Sequence, residues 1–344
     1  MRLLVVALAL LGACARPATE FVVFEAAPGF TAEARREETV ALDARDGDRV
    51  LLESPFAWVR FQPATDAASP RVRWSARIKA RTREEAAALL AGIRVACTRD
   101  GDGVRIGVEA APLEIRSAEA VYRVNPSLEI LVEMPAGCAV RARVGAGDVI
   151  VAGPAGNCEV SSDYGRIALS EIVGDIDARG GSGDIEIRGA RGASVSATTN
   201  YGRVEMVGVK AARVVARSGS GGVRVTGVVG AVDADSSYGA VFVEGVLSVV
   251  SARSGSGAVE VTAAPASSVA GPWSIRSNYG ALLLTLPATL GCEIAATTQY
   301  GSIESDFAGH PSHGGKRFDA KVGAGGPQVD LVTGSGAVRI RRAG

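Results

Sequence analysis

A short phrase that recurs ten times constrains the fold of this 344-residue chain more than any other feature. Each copy has a small or aromatic residue, then a glycine, then apolar residues at the second and fourth positions after the glycine, with Ser305 the one exception. The first seven copies are 18 or 19 residues apart, and the others follow at intervals of 23, 21 and 35 residues. The glycines are Gly147, Gly165, Gly183, Gly202, Gly221, Gly239, Gly257, Gly280, Gly301 and Gly336. A period of about 20 residues is typical of stacked repeats, so the sequence predicts a solenoid whose last units are less regular.

Each repeat unit alternates apolar and polar residues in two short runs, one before and one after its glycine. For example, Ile185 and Val223 fall on the inward face, and Glu186 and Arg224 fall on the outward face. Such alternation predicts two half-buried strands per unit. The phrase glycine lies at the corner between them, where a tightly bent or left-handed backbone favours glycine. A second glycine, which predicts the next bend, follows six residues later at Gly153, Gly189, Gly208, Gly227 and Gly245.

The short interval between units limits how the chain can wind. It leaves no room for a crossover helix between parallel strands. A lone unit would bury about four apolar side chains at ~1.5–3 kcal/mol each, against ~1–2 kcal/mol of entropy per ordered residue, so units must stack. The sequence therefore predicts an all-β fold, a single-stranded parallel β-helix of about ten short coils. A coil of one unit is favoured, and a coil of two units, 37 residues as from Gly165 to Gly202, is the alternative.

The chain before the repeats has a different composition and pattern. Residues 39–136 predict a small β-rich unit with one helix that caps the solenoid of residues 137–344, and residues 15–38 predict a tether. Within the capping unit, Pro70–Ala80 alternates as a half-buried strand does. The run Thr82-Arg-Glu-Glu85 has the pattern of a capping box at the start of a helix, and Gly92 predicts where that helix ends.

Residues 1–14 have the features of an export signal. Arg2 is followed by an apolar run that is too short to span a bilayer and that closes on Leu11-Gly-Ala-Cys14. This ending resembles the lipobox of bacterial lipoproteins, and the resemblance implies that Cys14 is acylated. The alternative is an ordinary secretory signal cut near Ala13 or Ala15. Either way we expect the mature protein to leave the cytoplasm, and the lipobox favours a lipid-anchored protein of the cell envelope, at the outer membrane and facing the periplasm or the surface.

Charge, cysteine and histidine content exclude several function classes. The chain has 37 basic and 37 acidic residues, so it lacks the basic excess of a nucleic-acid-binding protein. Cys97, Cys138, Cys158 and Cys292 contain no CxxC motif, which argues against a zinc site. Pairing of these cysteines in an exported protein stays open, but free cysteines as small core residues are favoured. The two histidines, His310 and His313, lie in a Pro- and Gly-rich loop, so no metal or cofactor is expected.

Two residue series suggest a binding stripe. The residue before the phrase glycine alternates between serine and tyrosine, and the tyrosines are Tyr164, Tyr201, Tyr238, Tyr279 and Tyr300. Arginines recur four residues before the glycine in the units without tyrosine, at Arg143, Arg179, Arg217 and Arg253. In a one-unit coil the two series interleave and can form a cation–π ladder, whereas a two-unit coil would stack arginines that repel. The ladder either packs the wall or forms a stripe that binds a glycan or an anionic polymer.

The repeat phrases resemble a known family. Ser218-Gly-Ser-Gly, Ser254-Gly-Ser-Gly, Gly181-Ser-Gly-Asp-Ile185 and the closing Val332–Ile340 segment are similar to the bacterial "putative adhesin" β-strand-repeat family, a domain of unknown function. This resemblance implies a right-handed β-helix, an envelope location and no catalytic residues.

Two functions follow as hypotheses. The first is a non-enzymatic, lipid-anchored scaffold or adhesin-like module whose partners are the membrane and a glycan, an anionic envelope polymer or another envelope protein. The alternative is a carbohydrate-active enzyme of the polysaccharide lyase or hydrolase type on the same fold. A cleft surrounded by carboxylates would favour the enzyme.

Overall fold

The computed structural model describes residues 22–23, 30–65, 69–110, 113–116, 121–124, 126–153 and 155–343. The predicted signal segment, including Cys14, lies outside these residues, as does much of the predicted tether. The strands before the repeats are β1 (Val22–Val23), β2 (Ala32–Ala41), β3 (Arg49–Phe56), β4 (Trp58–Pro63), β5 (Arg71–Ala80), β6 (Ile93–Asp100), β7 (Gly103–Ala110), β8 (Glu114–Arg116), β9 (Val121–Arg123) and β10 (Ser127–Met134), with helix α1 (Arg83–Ala91) between β5 and β6.

The repeat region is built of short strands. They are β11 (Ala139–Ala146), β12 (Val149–Ala152), β13 (Cys158–Ser162), β14 (Ile167–Ser170), β15 (Ile176–Gly180), β16 (Ile185–Arg188), β17 (Arg191–Thr199), β18 (Val204–Val207), β19 (Lys210–Ser218), β20 (Val223–Ser236), β21 (Val241–Ser254), β22 (Val259–Ala263), β23 (Trp273–Ser277), β24 (Leu282–Leu286), β25 (Cys292–Thr298), β26 (Ile303–Ser305), β27 (Gly309–Ser312), β28 (Arg317–Val322), β29 (Gln328–Thr333) and β30 (Val338–Arg342), with a 3₁₀ turn at His313–Gly315. No helix in the described ranges is long and apolar enough to cross a membrane.

Two stacks of strands form the walls of the solenoid. The first wall runs β6-β7-β3-β11-β13-β15-β17-β19-β20-β21-β23-β29-β25-β28-β27 in space. The second runs β2-β5-β10-β4-β12-β14-β16-β18-β20-β21-β22-β24-β30-β26, so β20 and β21 belong to both. Neighbours are parallel except at the ends of the stacks. The all-β solenoid predicted from the repeats is confirmed.

The strand register shows that one repeat unit makes one coil. Val149 pairs with Ile167, and Ile167 pairs with Ile185, each 18 residues further along the chain. We call each coil a layer and name it after its corner glycine. The predicted faces are also confirmed, because Ile185 and Val223 are only 1% and 2% exposed, whereas Arg224 points to solvent.

The solenoid begins before the predicted boundary at residue 137. Strands β3 and β4 form a layer directly beneath the Gly147 layer, with Ala57 in the corner position. Strand β2, residues 32–41, pairs antiparallel with β5 and so belongs to the second wall. Most of these residues lie in the segment that the sequence predicts as a tether. The residues of β2 alternate between half-buried and exposed, and this weak pattern explains why the sequence did not reveal the strand.

Helix α1 starts and ends where the sequence predicts. The Thr82 hydroxyl accepts a hydrogen bond from the Glu85 N–H at 3.2 Å, and the helix stops at Gly92. The Arg36 guanidinium fastens the end of the helix to the wall. It donates to the carbonyl oxygens of Leu90 and Ile93, both at 3.0 Å.

The last unit of the chain does not occupy the last layer of the stack. Strand β29 lies between β23 and β25, and β30 lies between β24 and β26. The Gly336 layer is therefore inserted between the Gly280 and Gly301 layers. The hairpin β27–β28 then covers the end of the first wall, antiparallel to β25.

The phrase glycines are required for a different reason from the one predicted. Only Gly147 among them has a positive φ, 133°. At each of the others a Cβ atom would lie closer than 3.0 Å to the carbonyl oxygen of the glycine in the layer beneath. The absence of a side chain is therefore what lets the corners stack. The second glycine row does adopt the left-handed backbone, as Gly189 and Gly208 show with φ of 65° and 66°.

A row of buried hydroxyls joins consecutive layers behind the corner. Ser236 Oγ accepts a hydrogen bond from the Gly239 N–H and donates one to the Gly221 carbonyl oxygen, both at 2.9 Å. The same two bonds are made in other layers by Ser162, Ser218, Ser254, Ser277, Thr298 and Thr333. The hydroxyls satisfy corner backbone groups that bond to no strand partner.

The four cysteines of the described ranges are free thiols. Cys138, Cys158 and Cys292 are buried. Burial raises the pKa of Cys138 and Cys292 to about 11 and the pKa of Cys158 to about 12. They act as small core residues, as favoured from the sequence.

Candidate functional site

The residue before each corner glycine alternates between an aromatic ring and a small side chain through the whole stack. In spatial order the layers carry Phe56, Ala146, Tyr164, Ser182, Tyr201, Ser220, Tyr238, Ser256, Tyr279, Ser335 and Tyr300. In chain order Tyr279 and Tyr300 come before Ser335, so the alternation would break. The inserted Gly336 layer places Ser335 between the two tyrosines and restores it.

All the exposed aromatic side chains of the described residues lie on this corner. We call them the aromatic ridge, and they are Trp58, Tyr164, Tyr201, Tyr238, Tyr279 and Tyr300. The tyrosines are 69% to 75% exposed and Trp58 is 59% exposed. Trp58 follows Ala57, the corner residue of the lowest solenoid layer, so members of the ridge occur at every second layer. With strands about 4.8 Å apart, the backbone positions of neighbouring ridge tyrosines are roughly 9.6 Å apart along the stack, and the ridge from the Trp58 layer to the Tyr300 layer is roughly 48 Å long.

The backbone of the corner also has a two-layer repeat. In serine layers, glycine stands two residues before the corner glycine, and in tyrosine layers a polar residue stands there. A Cβ atom at Gly219 would lie closer than 3.0 Å to the Asn200 carbonyl oxygen, and Gly255 is in the same relation to Ser237. Each serine layer thus packs closely on the tyrosine layer beneath it. The backbone at the corner therefore repeats every two layers, as the tyrosines do.

The predicted arginine series lies on the outer face of the first wall, beside the corner. Three of its members are ion-paired with nearby carboxylates. The pairs are Arg143 with Glu53 and Glu159 at 3.8 and 3.6 Å, Arg179 with Asp177 at 2.5 Å, and Arg217 with Asp233 at 2.6 Å. The fourth, Arg253, makes no ion pair within the described residues.

The predicted cation–π ladder is not formed. The cation–π contacts in the described ranges join other residues, such as Arg224 and Phe242 at 4.5 Å. The reason is local, because Asp177 is two residues from Arg179 on the same face of β15 and is nearer than any corner ring. Three arginines of the series therefore pair with carboxylates of the wall rather than with tyrosine rings. At Glu159, the hydrogen bond from the neighbouring Arg141 and the positive charge of Arg143 lower the pKa of the carboxyl group.

A groove adjoins the lower end of the ridge. It has a volume of about 710 Å³ and lies across five neighbouring strands of the second wall, β2, β5, β10, β4 and β12. Trp58, Leu131 and Ile150 supply its apolar surface, and Arg60 and Arg73 lie among them. Neither the role of Trp58 nor the groove could be predicted from the sequence, because strands that are far apart in the chain form the groove.

The carboxylates that line the groove already have partners. Glu37 pairs with Arg35, and Glu129 pairs with Arg77 at 3.1 Å. The other two are Glu38, which accepts from Arg36 at 2.8 Å, and Asp148, which accepts from the Arg166 N–H at 2.8 Å. Each of these carboxylates would have to give up an existing partner before it could contact a ligand in the groove.

The histidines lie at the opposite end. His310 and His313 are exposed in and beside the hairpin β27–β28. No group of three or more His, Cys, Asp or Glu residues in the described part of the chain is arranged to hold a metal ion.

The repeat region of the chain is similar to a known protein family. The family model described as Toastrack DUF4097 matches residues 128–341, well over half of the chain. This protein belongs to that family, a domain of unknown function. The match covers the repeats and begins at β10, which lies next to the lowest solenoid layer.

The chain is also similar to several solved structures. One is a "putative lipid binding protein" from Parabacteroides distasonis, with 13% identity, a TM-score of 0.38, and coverage of 91% of this chain and 98% of that chain. Another is a "putative adhesin" from Bacteroides fragilis, with 12% identity, a TM-score of 0.30, and coverage of 92% and 99%. A third is a "putative cell adhesion protein" from Clostridium sporogenes, with 8% identity, a TM-score of 0.25, and coverage of 90% and 100%. Among curated proteins, none matches this chain.

Proposed function

We propose that this protein is a non-enzymatic, lipid-anchored cell-envelope module that binds a linear polymer along its aromatic ridge. One observation carries the proposal. The alternation of aromatic and small residues holds across every layer, and it holds through the layer that is inserted out of chain order. Backbone packing at the corner accounts for the two-layer period, but it does not require an aromatic side chain, because the tyrosine rings are 69% to 75% exposed.

The exposure of the ridge supports a binding role. Exposed aromatic residues scattered singly are normal on a protein surface, but here they recur on one corner at every second layer, and such a regular row suits an extended ligand. Tyrosine and tryptophan are suited to such sites, because they offer a large rigid face together with a polar group. The other two tryptophans, Trp74 and Trp273, are buried.

The partnered carboxylates of the groove favour binding over the alternative enzymatic function. A glycoside hydrolase needs one carboxyl group that stays protonated and a second that is ionised. In the groove Glu37 and Glu129 are ion-paired with Arg35 and Arg77, so neither carboxylate can contact a glycosidic oxygen without leaving its arginine.

The location rests on the export signal and on Cys14. In this proposal the acylated Cys14 holds the solenoid at the outer membrane, facing the periplasm or the surface. Replacing Cys14 by serine should leave an unprocessed or soluble product in cell fractionation. Recovery of unchanged, membrane-bound mature protein from Cys14→Ser would refute the anchor. Right-handed winding and about ten coils complete the proposal, supported by the family resemblance and the ten phrase glycines.

The binding role is tested with a ridge variant of the full chain. Tyr201, Tyr238 and Tyr279 are changed together to serine, the residue that already holds this position in the layers between them. The wild type should retain one of a panel of envelope polysaccharides and anionic polymers, and the variant should lose that binding while its thermal unfolding is unchanged. A matched control changes Val173 and Val229, two exposed apolar residues outside the ridge, to serine and should bind normally. Equal binding by the wild type and the tyrosine variant would contradict the proposal.

A further inference from the structure

We infer that the ligand of the ridge is a neutral, unbranched β-1,4-linked polysaccharide that lies along the solenoid in an extended twofold conformation. This inference rests on the proposed function and names the chemical class of the polymer. Three features of the corner carry it, namely charge, spacing and the polar groups between the rings.

Charge favours a neutral polymer over an anionic one. The arginines nearest the ridge would have to be available for an anionic chain, but Arg143, Arg179 and Arg217 are held by carboxylates. From the Gly221 layer upward, the residue after the corner glycine is also uncharged in every layer. These residues are Gly222, Ala240, Ala258, Ala281, Ala337 and Ser302. An anionic polymer would therefore meet an uncharged upper corner, beside an arginine series in which only Arg253 lacks a carboxylate partner within the described residues.

Spacing favours an extended chain with a two-sugar repeat. Successive sugars of a twofold β-1,4-linked chain turn opposite faces outward, so one disaccharide brings the same face back. The length of that disaccharide is close to two strand spacings, roughly 9.6 Å, which is the distance between neighbouring ridge rings. Each ring can then stack against the same face of every second sugar.

Polar groups that suit a hydroxyl-rich ligand lie between and beside the rings. Ser182, Ser220, Ser256 and Ser335 are exposed in the intervening layers. Beside the tyrosines stand Asn200, Ser237, Asn278 and Gln299, which are also exposed. Hydroxyl and amide groups both donate and accept hydrogen bonds, as sugar hydroxyls do.

A proline-rich peptide is the competing ligand. A polyproline II helix also repeats after about 9.3 Å, three residues at 3.1 Å each, and aromatic surfaces bind it. Such peptides dock in grooves between aromatic rings, whereas here the rings stand on a corner. A proline-rich chain also lacks donors for the carbonyl oxygens of the amide side chains. The observations therefore favour the polysaccharide.

The ridge has several equivalent positions, so affinity should grow with ligand length. A longer oligosaccharide contacts more rings, and each further contact adds binding free energy without a second loss of translational and rotational entropy. We expect cello- or chito-oligosaccharides of six sugars to bind the full chain about tenfold or more tightly than those of two sugars.

The experiment is a calorimetric titration of the full chain with four probes. These are neutral β-1,4-linked oligosaccharides of two to six sugars, a β-1,4-linked polyuronate, an α-1,4-linked glucan and an oligoproline peptide. The expected result is length-dependent binding of the first probe and weak or no binding of the others. Replacing Tyr201, Tyr238 and Tyr279 by phenylalanine should preserve most of the binding, replacing them by serine should abolish it, and replacing Arg179, Arg217 and Arg253 by glutamine should leave it unchanged.

The outcomes separate this inference from the proposed function. Tighter binding of the polyuronate or of oligoproline, lost in the serine variant, would overturn the inference but keep the ridge as a binding site. Affinity that does not depend on oligosaccharide length would also overturn the inference. Absence of binding by every probe and by the wider polymer panel would overturn both.

Discussion

At the scale of single residues, the corner shows why this chain needs glycine where it does. Gly221 and Gly222 are neighbours in the chain, but only Gly221 has no space for a side chain. A Cβ atom at Gly221 would lie closer than 3.0 Å to the Gly202 carbonyl oxygen, whereas at Gly222 the nearest atom, the Ala240 carbonyl oxygen, would be 3.4 Å away. Alanine is found at the Gly222 position in other layers, as at Ala240.

This difference gives a matched pair of substitutions. Gly221→Ala should lower the free energy of unfolding by about 2 kcal/mol or more, because two layers must move apart to admit the methyl group. Gly222→Ala should change it by no more than about 0.5 kcal/mol. Chemical denaturation of both variants measures the difference. Similar stabilities would show that the layers do not stack as described.

The hydroxyl row was missed in the sequence although its signal was present. Ser236 has the same parity in its strand as the buried Val232 and Ala234, so the alternation places it on the inward face. Its partners are the backbone groups of Gly239 and Gly221, which only the stacked coil brings within reach. Recurrence of Ser or Thr at this inward position in most units is the pattern that identifies such a row.

At the scale of strands, the two-residue period was sufficient to predict the faces of nearly every element. It works because each strand has one wall to pack against and alternates strictly. The ion pairs could not be predicted in the same way. Arg179 was expected over a tyrosine ring, but its partner is Asp177 on the same strand, and only side-chain geometry decides between them.

Substitutions on the two faces of β16 test the register directly. Ile185→Asp should destabilise the protein by about 4 kcal/mol or more, because it buries a carboxylate without a partner. Glu186→Asp, on the adjacent outward face, should cost about 1 kcal/mol or less. Thermal or denaturant unfolding of both variants provides the measurement, and equal tolerance at the two positions would refute the assigned faces.

At the scale of the whole molecule, the inserted C-terminal layer is the feature that chain order hides. The Gly301 and Gly336 units share the phrase except at Ser305, which stands where the Gly336 unit has Ile340, and this one difference does not by itself decide which unit lies outermost. The tyrosine–serine alternation does, because only the order Tyr279, Ser335, Tyr300 preserves it. The groove beside Trp58 had no comparable signal, since strands from residues 32 to 152 contribute to it.

Removal of the C-terminal layer tests this topology. Deleting residues 328–344 removes the buried Val329, Leu331, Val338 and Ile340 from between two layers. Hydrogen exchange should then become fast in β25 and β26, which lose their parallel neighbours, while β13 to β16 in the middle of the stack keep their protection. Undiminished protection of β25 would mean that the Gly301 layer rests on the Gly280 layer without the insert.

The measurement that tests the central claim most directly is tyrosine footprinting of the full chain with and without a soluble neutral β-1,4-linked polysaccharide. Nitration of each tyrosine is read by mass spectrometry, and Tyr122, the one tyrosine outside the ridge, is the internal reference. The account predicts that Tyr164, Tyr201, Tyr238, Tyr279 and Tyr300 lose reactivity together as the polymer binds, while Tyr122 does not change. Binding that leaves the ridge tyrosines fully reactive would contradict it.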